Sequence, residues 1–167
     1  GKVIAFECFL PLADQMVLKG HEVKIAYLTG DRLVIPESPD VEIISLALNG
    51  IKSFIPASIQ YRNLLKSFRP DVVHAHMVHA NIFVRLNRIN QKIPKLICTA
   101  HNSNEGGNIR MLAYRYTNLL SDINTNVSKE ASQAFINKGA FTKENLITVY
   151  NGIDLNKFKF INSKNDI

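Results

Sequence analysis

The sequence predicts an α/β fold: a Rossmann-like, mostly parallel sheet with helices on both faces. Short apolar, β-rich runs alternate along the chain with segments of helical periodicity, and that alternation implies right-handed crossovers between parallel strands. Three of the runs end in polar side chains, namely PDVVHAHM (70–77), PKLICTAHN (94–102) and LITVYNGID (146–154). Because ligands bind beyond the carboxyl ends of parallel strands, the sequence predicts a binding cleft there.

The chain length fits one domain with a sizeable core. It has 167 residues, 46% hydrophobic and 20% charged, which is ordinary for a soluble globular protein. We expect the domain to span residues 1–158, followed by the start of a polar linker at 159–167. Cys8 and Cys98 are isolated in apolar segments, a pattern that favours reduced cysteines in the cytoplasm over a disulfide framework.

The net charge of +6 allows nucleic acid, anionic lipid or phosphorylated ligands as partners. Lysine and arginine are scattered along the sequence, without an aromatic-interleaved basic motif, so nucleic-acid binding is weakly supported. A diffuse positive surface at the inner face of the plasma membrane fits better, and we expect at most a peripheral contact with anionic lipid.

The N-terminal segment is open to two interpretations. Residues 12–19 have helical periodicity, but residues 3–10 could be a strand or the first turns of the same helix. A strand would place Pro11 in the first turn of the helix, where proline is tolerated. A single helix would enclose Pro11 and cost roughly 3 kcal/mol or a kink. The β-rich runs GHEVKIAYLTG (20–30) and VEIISLAL (41–48) predict the next two strands.

Helices are predicted where apolar residues recur at helical spacing. The first such segment runs from 53 to 68 with Phe54, Ile55, Ile59, Leu64, Leu65 and Phe68, and Arg69-Pro70 closes it. Shorter helices are expected at 80–89, with Ile82, Phe83, Leu86 and Ile89, and at 108–120, with Met111, Leu112, Tyr116, Leu119 and Leu120. The last covers 128–137, with Ser128 as its N-cap and Gly139 as its stop. Strands are expected between these helices at 71–77, 95–100, 123–128 and 146–152.

Three histidines cluster around the end of the 71–77 strand. His74 and His76 alternate, so both side chains lie on one face of the sheet, and His79 follows at the start of the next helix. His76 and His79 are candidate hydrogen-bond donors to a ligand. His74 alone is better interpreted as a hydrogen-bonded core histidine. A metal site is a weaker alternative, since no cysteine or carboxylate lies nearby to complete the ligand set.

A second polar group follows the 95–100 strand. His101 and Asn102 precede Ser-Asn-Glu-Gly-Gly (103–107) and a helix. Gly106 and Gly107 would let backbone amides approach a ligand, and the helix N-terminus favours negative charge. His101 could orient a hydroxyl or contact a phosphate. Glu105 could act as a base, or be a solvated residue of a simple surface loop.

Two further candidates have plain structural explanations. Ser128 is most simply a helix cap, and Asp154 after Asn151-Gly152 most simply stabilises a turn. No P-loop, Cys-x-x-Cys pair, Gly-x-Gly-x-x-Gly or nucleophile motif is present in the sequence. The residues by themselves therefore predict an α/β domain with a polar, histidine-bearing rim.

The chain resembles the N-terminal half of a GT-B glycosyltransferase of the retaining family-4 type. Five segments carry the resemblance, in the order and at the spacing of that family: LADQMVLKGHEVKIAYL (12–28), RPDVVHAHMVHANIF (69–83), KLICTAHNSNEGG (95–107), SDINTNVSKEA (121–131) and ENLITVYNGIDLNKF (144–158). The likeness is greatest to bacterial enzymes of O-antigen or capsular polysaccharide synthesis.

The resemblance implies transfer of a sugar from a nucleotide-sugar to a hydroxyl, with retained anomeric configuration and without a metal or other cofactor. The N-terminal domain would hold the acceptor, a glycan or a lipid-linked glycan, and a C-terminal Rossmann-like domain the nucleotide. His101 corresponds to the family's active-site histidine. His76, His79 and Asn102, with Glu105, Gly106 and Gly107, would line the acceptor side, and Asn151 and Gly152 would lead to the linker.

Two departures from the family pattern bear on these expectations. The family begins with a strand and a Gly-Gly loop, and here only Gly1 stands where that loop should end, so the resemblance predicts that the first strand is lost. The C-terminal donor-binding half is also missing, so we expect this chain to be inactive by itself. Two alternatives remain from the residues: a non-catalytic module for phosphorylated or glycosylated ligands and, from charge alone, a nucleic-acid-binding domain.

Overall fold

The computed structural model describes residues 1–6, 10–29, 36–101 and 107–150. Within these ranges its strands and helices are, in chain order, β1 Lys2–Phe6, α1 Leu10–Leu18, β2 Glu22–Tyr27, β3 Glu42–Ser45, α2 Phe54–Phe68, β4 Val72–His76, α3 Val78–Arg88, β5 Lys95–Ala100, α4 Asn108–Thr117, β6 Ile123–Asn126, α5 Lys129–Asn137 and β7 Ile147–Thr148. Short 3-10 turns, Ile51–Ser53 and Asn118–Leu120, precede α2 and follow α4.

The strands form one parallel sheet in the order β3-β2-β1-β4-β5-β6-β7. The strand order reverses at β1, which pairs with β2 on one side and β4 on the other. This order confirms the Rossmann-like prediction. Sheets of this kind bind ligands beyond the carboxyl ends of the strands at which the order reverses, here β1 and β4.

The expectation that the first strand is missing is wrong. β1 lies at the centre of the sheet, and Val3, Ile4, Ala5 and Phe6 are all buried. A short run of β-branched and aromatic residues is a natural central strand, and α1 then begins at Leu10, with Pro11 in its first turn, where proline is tolerated. The sequence nevertheless lacks the family's Gly-Gly loop, because Glu7, Cys8 and Phe9 occupy the connection. Those three residues lie outside the described part of the chain.

Helices cover the two faces of the sheet unequally. The main core cluster packs α2 and α3 against β1, β2, β4 and β5, through residues such as Tyr61, Phe83, Val73 and Leu96. A second cluster joins α4, α5 and the end of β5 on the same face. On the opposite face, α1 packs over β2 and β3. The face that α1 covers over β2 and β3 carries the polar side chains of the candidate site over β4–β6.

A buried arginine fixes α3 against its neighbours. The side chain of Arg85 is fully buried, and its guanidinium donates to Thr117 Oγ1 (3.3 Å) and Asn124 Oδ1 (2.5 Å). It also lies over the rings of Tyr114 and Phe141, at 5.1 and 5.7 Å from their centroids. These contacts tie the last turn of α3 to α4 and β6.

Most predicted elements are confirmed, with shifted ends. α3 begins at Val78, two residues earlier than expected, and α4 ends at Thr117. Ser128 is the N-cap of α5, since its hydroxyl oxygen accepts from the Ala131 amide at 3.0 Å. Gly139 stops the helix at φ +70°. No helix in the described ranges is long and apolar enough to cross a membrane.

Candidate functional site

Five polar side chains form a connected row on the α1 face of the sheet, and we call it the polar row: His74, His76, Thr99, His101 and Thr125. His76 Nδ1 lies 2.8 Å from His101 Nε2, and the two ring centroids are 5.1 Å apart. His74 and His76 stack with centroids 4.1 Å apart. His74 Nε2 lies 2.8 Å from Thr99 Oγ1, which in turn lies 2.7 Å from Thr125 Oγ1.

The register of the sheet creates this row. His76 is opposite Thr99 in the β4–β5 pair, and Thr99 is opposite Thr125 in the β5–β6 pair. Side chains two residues apart on a strand share a face, so His74 and His76 point the same way. Three neighbouring strands thus deliver imidazoles and hydroxyls to one edge, as the sequence predicts for β4 and β5.

The turn between β4 and α3 is tightly held. Met77 has φ +70° and ψ +157°, a backbone region that is essentially restricted to glycine and costs of order 1–3 kcal/mol elsewhere. The Met77 amide donates to Thr99 O at 3.1 Å. The side-chain amide of Asn81 donates to the same carbonyl at 3.0 Å and to Tyr114 Oη at 3.1 Å. This strained turn positions His76 and the first turn of α3.

Burial determines the protonation of two of the histidines. His76 is 3% exposed, and burial, followed by the proximity of His74 and His101, lowers its pKa far below the usual range. Burial, then the nearby His101, lowers the pKa of His74 to about 4. Both side chains are therefore neutral at pH 7. They can accept or donate hydrogen bonds, but they cannot exchange protons with a substrate near neutral pH.

The direction of the His76–His101 hydrogen bond follows from the other ring nitrogen of His76. Among the described residues, His76 Nε2 has no hydrogen-bond partner and is buried. If that nitrogen carried the proton, a buried N–H would be orphaned, which is rarer in proteins than an under-used acceptor. The lower-energy arrangement puts the proton on Nδ1, so that His76 donates and His101 Nε2 accepts. His76 then orients the His101 ring.

The remaining predicted site residues fall into two groups. His79 is exposed in the first turn of α3, and Gly107 is the exposed residue before α4; both lie at the carboxyl end of the sheet. The predictions for Asn102, Glu105, Gly106, Asn151, Gly152 and Asp154 lie outside the described residues.

Sequence reasoning missed four residues that hold the site together, namely Thr99, Thr125, Asn81 and Met77. Thr99 could have been found by alternation, because it lies on β5 two positions before His101. The Thr125 contact depends on β5–β6 register, which the sequence does not reveal. The described residues contain no group of three or more histidine, cysteine or carboxylate side chains placed to hold a metal.

The strand order and the imidazole-bearing carboxyl edge define a class: a Rossmann-like domain of the kind that forms the N-terminal half of GT-B enzymes. The particular family follows from the sequence. The chain belongs to Glycosyltransferase Family 4, whose profile matches residues 9–157.

Solved structures share the fold at low sequence identity. Sucrose-phosphate synthase from Thermosynechococcus elongatus superposes with a TM-score of 0.73 at 12% identity, over 94% of this chain and 49% of that one. The lipopolysaccharide outer core galactosyltransferase WaaB superposes with a TM-score of 0.67 at 12% identity, over 92% of this chain and 46% of that one. HepE from Anabaena, solved in complex with UDP and glucose, superposes with a TM-score of 0.64 at 15% identity, over 93% of this chain and 45% of that one. The chain therefore spans about half the length of these structures. No curated protein sequence matches it.

Proposed function

We propose that this chain is the acceptor-binding half of a retaining glycosyltransferase. The whole enzyme would move a hexose from a nucleotide-sugar to a glycan or lipid-linked acceptor. We place this reaction in bacterial cell-surface polysaccharide synthesis, at the cytoplasmic face of the membrane. Family membership supports transfer to a hydroxyl, and HepE, which shares this fold over 45% of its length, was solved in complex with UDP and glucose. The observation that carries the proposal is the 2.8 Å contact between His76 and His101 at the carboxyl edge of the sheet.

His101 is the residue that we place at the reacting sugar. It is the last described residue of the β5 segment, half-buried, with one ring nitrogen held by His76. A ring oriented in this way lies at the carboxyl edge, where we place the sugar hydroxyl or phosphate oxygen that it contacts. Neutral His76 acts as a positioning residue, because its low pKa suits hydrogen bonding rather than acid–base work.

The acceptor side would be completed by residues around the same edge. We assign His79, Asn102, Glu105, Gly106 and Gly107 to acceptor binding, and Asn151 and Gly152 to the approach to a linker at 159–167. The nucleotide would bind to a second Rossmann-like domain, facing this one across a cleft. On this proposal transfer needs no metal, and the 167-residue chain by itself does not turn over.

The test is a product assay on the whole enzyme that contains this chain. The enzyme is incubated with UDP- and GDP-sugars and with lipid-linked glycan acceptors, with and without a chelator of divalent cations. Mass spectrometry detects transfer, and NMR of the product reports the anomeric configuration. We expect chelator-resistant transfer with retention. Transfer with inversion, or hydrolysis without an acceptor, would contradict the proposal.

A further inference from the structure

Apolar side chains lie on the outside of α2, of the 3-10 turn before it and of α3. Ile51, Ile55 and Ile59 follow one another at four-residue spacing and are 95%, 69% and 53% exposed, and Leu86 on α3 is 37% exposed. One exposed isoleucine would be unremarkable. Ile55 and Ile59 are about one turn apart on α2, and Ile51 lies in the 3-10 turn directly before the helix, so the three isoleucines form an apolar strip at its N-terminal end.

Cations continue the same line. Arg62 and Lys66 follow Ile59 at three- and four-residue spacing, so they extend the strip along α2. Lys92 lies across an open groove that Arg62, Leu65 and Lys66 line from the α2 side. The Gln91 side-chain amide donates to Ser58 O at 3.3 Å and anchors the Lys92 loop against α2. The fold thus gathers cations that look scattered in the sequence.

Carboxylates are nearly absent from this part of the molecule. Between residues 43 and 101 the sequence contains one acidic residue, Asp71. Its carboxylate accepts the Lys2 amide at 2.7 Å, at the start of β1. Arg62, Lys66 and Lys92 therefore lie on a face without counter-charges from its own elements. We call the surface formed by Ile51, Ile55, Ile59, Arg62, Lys66, Leu86 and Lys92 the α2–α3 face.

We propose that the α2–α3 face docks on a bilayer with anionic headgroups. A helix that lies along a membrane surface buries an apolar strip at the headgroup boundary and places lysine and arginine beside anionic lipid. The α2–α3 face has this composition. A nucleic-acid site would not require exposed isoleucines and would favour exposed aromatic side chains for stacking, which this face lacks.

Docking in this orientation leaves the candidate site accessible. α2 and α3 pack on one face of the sheet, and the polar row lies on the other face at its carboxyl edge. His79 and Leu86 are seven residues apart on α3 and so lie on the same side of it. The proposed acceptor edge therefore borders the α2–α3 face, which suits a lipid-linked acceptor; this last point rests on the proposed function.

Vesicle flotation of the chain tests the proposal. The probes are phosphatidylcholine vesicles with and without phosphatidylglycerol, at low and high salt. We expect binding to the anionic vesicles only, weakened by salt. Arg62→Glu/Lys66→Glu should lower partitioning at least tenfold, since each cation near an anionic surface contributes roughly fivefold. Ile55→Ser/Ile59→Ser should also lower it. Lys129→Glu/Lys143→Glu makes the same charge change at exposed positions elsewhere and should have a much smaller effect.

Other outcomes would overturn the docking surface. Equal losses in the two charge-reversed variants would mean that net charge alone drives binding. Equal binding to neutral vesicles, or no binding, would exclude anionic lipid. A dimer in size-exclusion chromatography that Ile55→Ser/Ile59→Ser dissociates would make the face a contact between two copies. Sugar transfer to a water-soluble acceptor is measured separately in the whole enzyme, so the docking surface and the proposed function can fail independently.

Discussion

The buried imidazoles of the polar row couple folding to pH at the scale of single residues. The folded-state pKa of His74 is about 4, whereas an unfolded histidine titrates near 6.5. Between these values the unfolded chain binds more protons, so stability falls as the pH falls. We expect the free energy of unfolding in urea to drop from pH 7.5 to pH 5, by roughly 1 kcal/mol per pH unit for one such histidine below pH 6.5.

Two variants locate the source of this pH dependence. His74→Asn should reduce the dependence of the free energy of unfolding on pH, because one of the two neutral imidazoles with lowered pKa values is removed. His79→Asn removes an exposed histidine from α3 and should leave it unchanged. An equal change in the free energy of unfolding with pH in the unaltered chain, His74→Asn and His79→Asn would contradict the assignment to the polar row.

The tautomers of His76 and His101 provide a second prediction at this scale. Because His76 Nε2 is buried without a partner among the described residues, we expect the proton of His76 on Nδ1 and the Nε2 of His101 to be an acceptor at pH 7. Long-range proton–nitrogen NMR correlations of the imidazole rings distinguish the two forms. A proton found on His76 Nε2 would reverse the direction of this hydrogen bond.

At the scale of elements, the β4–α3 junction stores backbone strain. Met77 has φ +70°, and the residue is 40% exposed. Met77→Gly relieves the strain. Met77→Ala also shortens the side chain, but it retains the backbone strain. We expect the glycine variant to be more stable than the alanine variant by about 1 kcal/mol in urea unfolding, after the entropic cost of glycine. An alanine variant of equal or greater stability would show that the turn is unstrained.

Local patterns predict where elements lie better than which sides they bury. Ser128 caps the start of α5 and Gly139 stops the helix, as their residue types predict, because helix caps depend on neighbours in the chain. Ile55 and Tyr116 were expected on buried sides, yet both are exposed. Periodicity alone finds an apolar stripe, but the width of the buried face depends on which helix lies next to it, and α2 turns Tyr61 rather than Ile55 to the core.

At the scale of the whole molecule, the candidate site depends on contacts that are distant in the sequence. His76 and His101 are 25 residues apart, as are His74 and Thr99. The sequence predicts that strand ends carry histidines, because each end is a local feature. It does not predict that His76 meets His101, since that contact requires the order and register of β4 and β5. The resemblance to a two-domain family supplied the expected roles of these residues, which stay predictions. It misled on β1, because the Gly-Gly loop that marks that strand is absent from the sequence.

The division of labour between two domains makes a prediction about the isolated chain. On the proposed function, the acceptor binds to these residues and the nucleotide binds to a second Rossmann-like domain. Isothermal titration of the 167-residue chain with UDP and with UDP-glucose should therefore show weak or no binding. Tight nucleotide binding by this chain would favour a self-contained ligand-binding module instead.

We propose that His101, held by His76 at the carboxyl edge of the sheet, acts at the transferred sugar. The most direct measurement is the rate of sugar transfer by the whole enzyme carrying His101→Ala, with His21→Ala as the control, because His21 is exposed at the opposite edge, before β2. We predict a loss of at least about a hundredfold in kcat/KM for His101→Ala and none for the control. Unchanged transfer by a folded His101→Ala enzyme would contradict the claim.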